Sequence, residues 1–262
     1  MDDDALAADL VREAGSLAAR MLDAGLDTHF KTSISDVVSA ADHAAEALVA
    51  GRLAAERPDD GQVGEEGARS TAGADAGGRT WYIDPVDGTY NFLSGIPYWC
   101  SAVGLVDTDG PLLGAVYYPA REELWVGGRD RPTTLNDRPL PRLEDRPLAE
   151  VSLATYSNAS HLRDHVKAAS WNAVTTTAAT TRMFGSASVD LASVATGRIG
   201  VFLQANLHPW DWYPGAALVL GAGGATEEVV IGEQRWLVAG NPQAVAEARQ
   251  ALLDAAAAAP AA

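Results

Sequence analysis

The stretch that most constrains this chain runs from Trp81 to Phe92. It opens with an apolar run, which predicts a short buried strand, and two carboxylates three positions apart, Asp84 and Asp87, follow. A Gly88-Thr89 pair comes next, with a new segment starting behind it. Carboxylates are hard oxygen ligands, and a glycine lets backbone N–H groups come close to an anion. The working hypothesis is therefore metal-dependent phosphate chemistry.

The spacing of Asp84 and Asp87 around Pro85 lets both side chains converge on one or two divalent ions. The Val86 carbonyl between them is a candidate for a further ligand. The alternative is structural: an Asp-Pro turn followed by an Asp-Gly turn occurs in ordinary loops. This motif alone leaves both interpretations open.

The composition excludes several classes of partner. The chain has 262 residues, 47% of them hydrophobic, which is enough for one large core or two small, closely packed ones. A formal net charge of −16 argues against nucleic acid or an anionic membrane, since both bind clustered cations. Met1 is followed by three aspartates, and no segment approaches the ~20 apolar residues of a membrane span, so we predict a cytoplasmic protein. The single Cys100 excludes an internal disulfide.

The order of the predicted elements indicates a layered α/β (α+β) sandwich with mixed, largely antiparallel sheets. Helical periodicity covers residues 6–22 and 41–53, and an antiparallel meander is predicted at 101–126. We predict a hairpin or loop at 31–38 and a flexible loop at 67–79. A second half with mixed strands and helices, among them a single helix at 161–170, begins near residue 150. We therefore expect two halves, 1–150 and 151–254, in one compact catalytic unit, with a disordered tail at 255–262.

Three further acidic positions have both a structural and a chemical interpretation. Glu65, beside Glu66, is either a solvated surface residue or the group that holds a second ion and accepts a proton from water. Asp42 completes a Ser39-x-x-Asp42 capping box, which explains it without catalysis. Asp211 lies between two tryptophans, where it either caps a helix or is a shielded carboxylate that needs a cation.

Taken together and in this order, the motifs resemble the inositol monophosphatase family of Mg²⁺-dependent, lithium-sensitive phosphatases, within the fructose-1,6-bisphosphatase-like superfamily. The resemblance extends over about residues 31 to 224. It implies the sugar-phosphatase fold, two or three Mg²⁺ ions, a small phosphorylated metabolite as substrate and a homodimer. The resembling segments are Lys31 with residues 36–42, Gly64-Glu65-Glu66, residues 84–92, Gly185-Ser186-Ala187, and Trp210-Asp211 with Gly215.

The resemblance also implies a role for each matched residue. The implied Mg²⁺ ligands are Glu65, Asp84, Asp87, Asp211 and the Val86 carbonyl. Gly88 and Thr89 bind the phosphate, and Glu65 with the Thr89 hydroxyl orients and deprotonates the attacking water. Asp42 links to that hydroxyl, and Asp84 belongs to the same catalytic centre. The implied substrate contacts are Gly88, Thr89, Ser186, Ala187, Gln204 and Asp211.

Two departures from the family pattern concern the substrate. Gln204 stands where many inositol-specific members carry a glutamate, and an amide donates as well as accepts hydrogen bonds. Residues 212–214 replace a pair of small residues by Trp-Tyr-Pro, which either narrows the pocket or offers a ring for stacking. Histidinol phosphate, fructose 1,6-bisphosphate and a 3′-phosphorylated adenosine nucleotide therefore remain alternatives to inositol monophosphate.

Two interpretations outside this mechanism also stay open. The run from Val106 to Gly110 imitates the Asp-x-Asp-Gly nucleophile loop of haloacid dehalogenase-like phosphatases, although a hairpin turn explains it more simply. The family fold could also belong to a binding or regulatory protein without catalysis. Every matched metal and water-activating position carries a competent side chain, which favours the enzyme.

Overall fold

Layers of helices and sheets alternate in this protein, as its computed structural model shows for residues 1–24, 28–30, 37–70 and 78–258. Sheets of eight and five strands form the main β layers, which confirms the predicted layered sandwich. None of the described helices is long and apolar enough to cross a membrane. The α-helices are α1 (Asp3–Ala24), α2 (Ala40–Glu56), α3 (Thr89–Leu93), α4 (Ala159–Arg163), α5 (His165–Thr175), α6 (Ala187–Ala195), α7 (Pro209–Gly221) and α8 (Pro242–Ala258).

The larger sheet contains the predicted meander and extends it at both edges. The third and fifth strands of the chain are neighbours in this sheet and run parallel. All other neighbouring strands of the sheet run antiparallel. In spatial order its strands are β10 (Arg138–Pro139), β9 (Arg131–Leu135), β8 (Glu123–Gly128), β7 (Gly110–Tyr118), β6 (Cys100–Asp107), β5 (Thr80–Asp87), β3 (Gly61–Gly64) and β4 (Arg69–Ser70).

The smaller sheet belongs to the second half of the chain. Its strands, in spatial order, are β12 (Thr180–Arg182), β11 (Ser152–Thr155), β13 (Val201–Ala205), β15 (Gln234–Gly240) and β14 (Ala225–Ile231). The pairs on either side of β11 are parallel, and the remaining pairs are antiparallel. A separate antiparallel pair joins β1 (Thr28–Phe30) to β2 (Val37–Ser39).

Helices separate and cover the two sheets. The apolar stripe of α1 and one face of α2 pack on the outer face of the large sheet, where Trp81 and Ile83 of β5 are fully buried. Helices α6 and α7 lie between the sheets, and their core cluster includes Trp125 of the large sheet and Phe202 of the small one. Helices α5 and α8 cover the other side of the small sheet. The two halves of the chain therefore share a core.

Several element boundaries differ from the predictions. The single helix expected over residues 161–170 is two helices, because Asp164 accepts a hydrogen bond from the Lys167 backbone N–H and starts a new one. Helix α8 continues through Ala258, so residues 255–258 of the predicted tail are helical. Residues 31–36, 71–77 and 259–262, which carry the rest of the predicted loops and tail, lie outside the described residues.

Candidate active site

Three carboxylates from the two halves of the chain converge at one point. Asp84 and Asp87 lie at the end of β5, and Asp211 lies in the first turn of α7. One oxygen of each lies within 4.8 Å of the other two. Asp84 is 1% exposed and Asp87 5% exposed, so two of the three are withdrawn from solvent. The sequence-predicted ligands Asp84, Asp87 and Asp211 are thus brought together.

An irregularity in β5 puts Asp84 and Asp87 side by side. Residues three apart in a regular strand point to opposite faces of the sheet. Asp84 pairs with Ala102 of β6, and Asp87 pairs with Cys100. The two aspartates are three residues apart in β5, whereas their partners are two residues apart in β6. This extra residue is a β-bulge, and it brings both carboxylates to the same side. Pro85 fits the bulge because it has no N–H to donate to the ladder.

Among the described residues, no Lys or Arg forms an ion pair with the acids of this cluster. Burial, and then repulsion from Glu65, raises the pKa of Asp84 well above its usual range. Burial and then Asp87 raise the pKa of Asp211 to about 7. Asp84 Oδ1 is buried without a hydrogen-bond partner in the described part of the chain. Buried carboxylates without a cation are unfavourable, so these residues fit a divalent ion with oxygen ligands.

Asp87 is oriented by the beginning of α6. The backbone N–H groups of Ala187 and Ser188 donate to its two carboxylate oxygens, the first at 3.2 Å. Burial raises the pKa of Asp87, and these hydrogen bonds oppose that rise. Ser186 is the N-cap of α6 and accepts from the Val189 N–H. The Ala187 N–H group therefore positions the Asp87 carboxylate, a role that the sequence analysis does not predict.

Glu65 lies beside the three carboxylates but outside their set. It follows β3, where its backbone N–H donates to the Ile83 carbonyl of β5. The residue is exposed overall, but its carboxyl is crowded by acids. Desolvation, and then repulsion from Asp211 and Asp42, raises its pKa to about 8.

Glu46 of α2 shapes the turn that carries Glu65, and sequence reasoning missed it. Its carboxylate accepts from the backbone N–H groups of Glu66 and Ala68, both at 2.8 Å. A Cβ on Gly64 would lie 2.2 Å from the same carboxylate, so only glycine fits there. Glu46 is 4% exposed on the buried face of α2, among Ala45, Val49 and Leu53, and a charge at such a position is the signal that could have identified it.

The Gly88-Thr89 turn follows the carboxylates directly. Gly88 has φ +101°, and a Cβ there would lie 3.1 Å from two backbone carbonyls, those of Gly185 and Tyr98. The Thr89 hydroxyl donates to the Val86 carbonyl at 3.0 Å. The link between Asp42 and the Thr89 hydroxyl that the resemblance implies stays a prediction. Asp42 is 1% exposed, and the proposed Ser39 cap rests on a side chain outside the described residues.

Asp211 does not cap its helix as one interpretation expected. Helix α7 begins at Pro209 with His208 as the N-cap, an arrangement that suits proline because its missing N–H has no partner at that position. Asp211 therefore sits two residues inside the first turn. From there its carboxylate approaches those of Asp84 and Asp87 at the end of β5.

A cleft of about 610 Å³ opens over Asp87, Gly88, Thr89 and Asp211. Ser186, Ala187 and Gln204, the predicted substrate contacts, also line it. Its charged lining residues are Asp87, Asp190 and Asp211, and none of its described lining residues is Lys or Arg. Its remaining lining residues are mostly apolar or aromatic: Tyr90, Tyr156, Met183, Phe184 and Leu207.

The Trp212-Tyr213-Pro214 segment does not line the cleft, contrary to its expected role in narrowing or stacking. Trp212 is buried in the core between the sheets, and the Tyr213 ring lies 4.8 Å from the Tyr82 ring. Pro214 presses against the large sheet, where a Cβ on Gly114 would come within 1.9 Å of the Pro214 carbonyl oxygen. These bulky residues therefore fill the contact between α7 and the sheet.

Two further polar residues that the sequence analysis missed support the cleft wall. Asp190, 3% exposed, accepts a hydrogen bond from the Tyr98 hydroxyl at 2.7 Å, and burial raises its pKa to about 8. Asn91 donates to the carbonyls of Tyr98 and Phe184, both at 2.8 Å. These bonds hold the loop before α6 against the Gly88 turn.

The haloacid dehalogenase-like loop is a hairpin turn, as the simpler interpretation predicted. Strand β6 ends at Asp107 and β7 begins at Gly110, which has φ +102°. Asp107 pairs with Arg129 at 2.7 Å, and these contacts lower its pKa. Asp107 is thus an arginine-paired carboxylate on a surface turn, and it does not line the cleft over Asp87 and Asp211.

The similarity to known proteins agrees with this geometry. A family model described as the inositol monophosphatase family matches residues 2–260. The chain belongs to the inositol monophosphatase family. Relatives in this family are metal-dependent and act on small phosphorylated substrates, which supports a phosphatase.

Individual relatives within the family carry two kinds of name. A protein of Rhizobium meliloti named inositol-1-monophosphatase is 38% identical over 192 residues, covering 72% of this chain and 71% of the relative. A Xylella fastidiosa protein named Nus factor SuhB is 33% identical over 216 residues, covering 81% and 77%. The structure of an extragenic suppressor protein suhB from Bartonella henselae superposes with a TM-score of 0.82 at 29% identity, covering 94% and 96%. The family fold is therefore shared throughout the chain.

Proposed function

We propose that this protein is a Mg²⁺-dependent phosphomonoesterase that hydrolyses a small phosphorylated metabolite, in first place inositol monophosphate or a related sugar or polyol phosphate. The observation that carries the proposal is the convergence of Asp84, Asp87 and Asp211, with a buried Asp84 oxygen that has no hydrogen-bond partner among the described residues. These acids lie beside a glycine turn at the floor of a cleft large enough for a small metabolite. The inositol-1-monophosphatase name of a 38% identical relative supports it.

Within this proposal, Glu65, Asp84, Asp87, Asp211 and the Val86 carbonyl hold two or three Mg²⁺ ions. When bound, the ions neutralise phosphate charge and make water more acidic. Glu65 accepts the proton of the attacking water, since it is a carboxylate placed beside the metal-binding acids.

The remaining residues orient the reactants. Backbone N–H groups of Gly88 and Thr89 bind phosphate oxygens, and the Thr89 hydroxyl orients the water while Asp42 supports that corner of the site. The N–H groups of Ala187 and Ser188 hold Asp87, Ser186 and Ala187 contact the substrate from the cleft wall, and Gln204 and Asp211 reach its hydroxyls across the cleft.

Mg²⁺-dependent phosphate release from a panel of esters tests this function. The panel contains inositol monophosphate, histidinol phosphate, fructose 1,6-bisphosphate and a 3′-phosphorylated adenosine nucleotide, each with full kinetics. We expect turnover of at least one ester that disappears with chelator and falls in millimolar lithium. We also propose that the protein is a cytoplasmic homodimer. Size-exclusion chromatography with light scattering tests the oligomeric state.

A non-catalytic regulatory role is the second candidate, because a 33% identical relative is named a Nus factor. The same panel separates the two candidates. A folded protein that binds Mg²⁺ and releases no phosphate from any ester would favour the regulatory role over the phosphatase.

A further inference from the structure

One buried carboxylate of α2 holds the loop that carries Glu65. This loop joins β3 to β4, the pair at one edge of the large sheet, and a loop at a sheet edge has few packing partners of its own. The two oxygens of Glu46 accept from the backbone N–H groups of Glu66 and Ala68, both at 2.8 Å. Hydrogen bonds to an ionised acceptor are among the stronger ones in proteins. Helix α2 therefore contributes to the position of the loop.

Glu46 and the loop fit each other closely. The residue is 4% exposed, so its hydrogen bonds lie in surroundings of low polarity, where they are stronger than in water. Gly64 makes room for it, because a Cβ at that position would overlap the Glu46 carboxyl carbon and both of its oxygens. Gly64 is not among the glycines with positive φ, so the contact with Glu46, and not the backbone conformation, requires a glycine there.

The same face of α2 also reaches the active site. Asp42 lies one helical turn before Glu46, and residues with this spacing share a face of the helix. Asp42 is 1% exposed, and its carboxylate is close enough to Glu65 to contribute to the raised pKa of that residue. The Nδ1 atom of His43 lies 3.3 Å from the Glu66 carboxylate. This face of α2 therefore lies beside both the Glu65 loop and the acids of the site.

Glu65 depends on this support more than the three converging aspartates do. Asp84 and Asp87 belong to β5, which has a neighbouring strand on each side, and Asp211 belongs to α7 between the two sheets. Glu65 lies on an edge loop, outside the set of carboxylate oxygens that lie within 4.8 Å of one another. A displacement of the loop would therefore move Glu65 and leave the three aspartates in place.

We propose that Glu46 is a positioning residue for Glu65, because its carboxylate fixes the loop from which Glu65 reaches the metal-binding acids. The inference rests on the proposed phosphatase function, in which Glu65 is a Mg²⁺ ligand and accepts a proton from water. It gives Glu46 a part in Mg²⁺ binding and turnover without placing it in the lining of the cleft. Mg²⁺ binding by the three aspartates alone is then independent of Glu46.

Mg²⁺ titration by calorimetry tests this inference without using turnover. Glu46→Gln keeps the shape of the side chain, but its amide NH₂ group cannot accept from a backbone N–H. Glu65→Gln, measured in parallel, identifies the part of the Mg²⁺ binding that depends on Glu65. We expect Glu46→Gln to weaken that same part by about tenfold and to leave the remaining Mg²⁺ binding as in the wild-type protein. In turnover, kcat should fall by about tenfold, with KM within about twofold of the wild-type value.

Glu247→Gln is the matched control. Glu247 of α8 is also a partly buried helix carboxylate that accepts from a backbone N–H of another segment, that of Leu148 at 2.7 Å. It lies outside the lining of the cleft. This variant should keep wild-type Mg²⁺ binding and kcat, and thermal melts establish that both variants are folded.

Gly64→Ala tests the same contact from the side of the loop. Its Cβ should displace the Glu46 carboxylate, so this variant should reproduce the weakened Mg²⁺ binding of Glu46→Gln. Glu46→Ala removes the carboxylate and with it the overlap, so Gly64→Ala should cause little further loss in that background. This double-mutant cycle distinguishes one shared contact from two independent effects. Additive losses would overturn the inference.

The outcomes also separate this inference from the phosphatase proposal. Hydrolysis of an ester, together with wild-type Mg²⁺ binding and kcat in a folded Glu46→Gln variant, refutes the inference alone. An equal loss of Mg²⁺ binding in Glu247→Gln refutes it as well. Absence of hydrolysis by the wild-type protein, together with the same weakened Mg²⁺ binding in Glu46→Gln and Glu65→Gln, refutes the phosphatase alone and supports the positioning role of Glu46.

Discussion

The two ends of β5 carry two acidic clusters with opposite electrostatics. Next to its start, Asp60 accepts hydrogen bonds from Arg79 at 2.6 Å and from the Trp81 indole at 2.8 Å. Asp3 accepts from Arg79 and Arg57 at 2.6 and 2.7 Å. At its other end, the three converging carboxylates of the active site have no Lys or Arg partner in the described part of the chain.

The pKa shifts express this difference. Burial by itself would raise the pKa of Asp3, but hydrogen bonds from Arg79 and Arg57 outweigh burial and lower it. In the active-site cluster, burial raises the pKa values of Asp84, Asp87 and Asp211, and repulsion from neighbouring acids adds to the rise at Asp84 and Asp211. Acids that the chain neutralises with its own arginines hold the fold together. Acids that it leaves without a cation are available to a metal ion.

Removing one acid from the active-site cluster should have the largest effect. Asp87→Asn and Asp211→Asn each keep the shape of the side chain and lose a negative charge. We expect each to reduce Mg²⁺-dependent turnover by at least ~100-fold, because a lost metal ligand removes transition-state charge stabilisation. Thermal melts should show a folded protein. Full activity of either variant would exclude that residue from the metal site.

Glu65→Gln should have the next largest effect on activity. The variant cannot accept a proton from water, so kcat should fall by about 10²-fold while KM changes little. Initial rates over a range of substrate concentrations separate the two constants. A rise in KM with unchanged kcat would indicate that Glu65 contributes to binding only.

Breaking the arginine-paired cluster should affect stability and spare activity. Arg79→Met leaves Asp60 and Asp3 with an incomplete hydrogen-bond set. Because Arg79 is 34% exposed, we expect a loss of about 2 kcal/mol in the free energy of unfolding, less than for a fully buried pair. Arg249→Met, at an exposed pair of 3.9 Å with Glu227, is the control and should change stability by less than ~0.5 kcal/mol. Equal losses in both variants would contradict the comparison.

Magnesium should stabilise the protein more at high pH than at low pH. The carboxyls of Glu65 and Asp211 have ordinary pKa values of 4.5 and 3.8, but about 8 and about 7 in the folded protein. Between these values the native state binds more protons than the unfolded state, so metal-free stability falls as pH rises. Saturating Mg²⁺ should raise Tm by about 5 °C at pH 8 and by much less at pH 5. Equal shifts at both pH values would argue against binding at this cluster.

Asp107→Asn should have almost no effect on turnover. Asp107 lies in a hairpin turn with an arginine partner, so it resembles the arginine-paired acids Asp3 and Asp60 rather than the active-site acids. Rates within about twofold of wild type are expected for a surface position away from the site. Loss of activity would support Asp107 as a covalent nucleophile, as in the haloacid dehalogenase-like phosphatases whose loop this turn resembles.

Local patterns explain how much the sequence predicted correctly. The meander strands β6, β7 and β8 were predicted because each shows a β pattern bounded by turn residues. Short edge strands such as β10 and β4 were missed, since two residues carry no periodicity. Helices α4 and α5 were merged because the break at Asp164 depends on one capping hydrogen bond.

The sequence by itself determined the chemical types at the site: a strand that ends in two aspartates, a glycine turn behind it, and a further aspartate in Trp-Asp downstream. Those features are local, so a residue pattern can carry them. Only the tertiary structure decided that Asp211 meets the β5 acids, and that Trp212, Tyr213 and Pro214 pack between α7 and the large sheet instead of lining the cleft. Each of these depends on which surfaces of distant segments pack together, and that information is absent from any single segment.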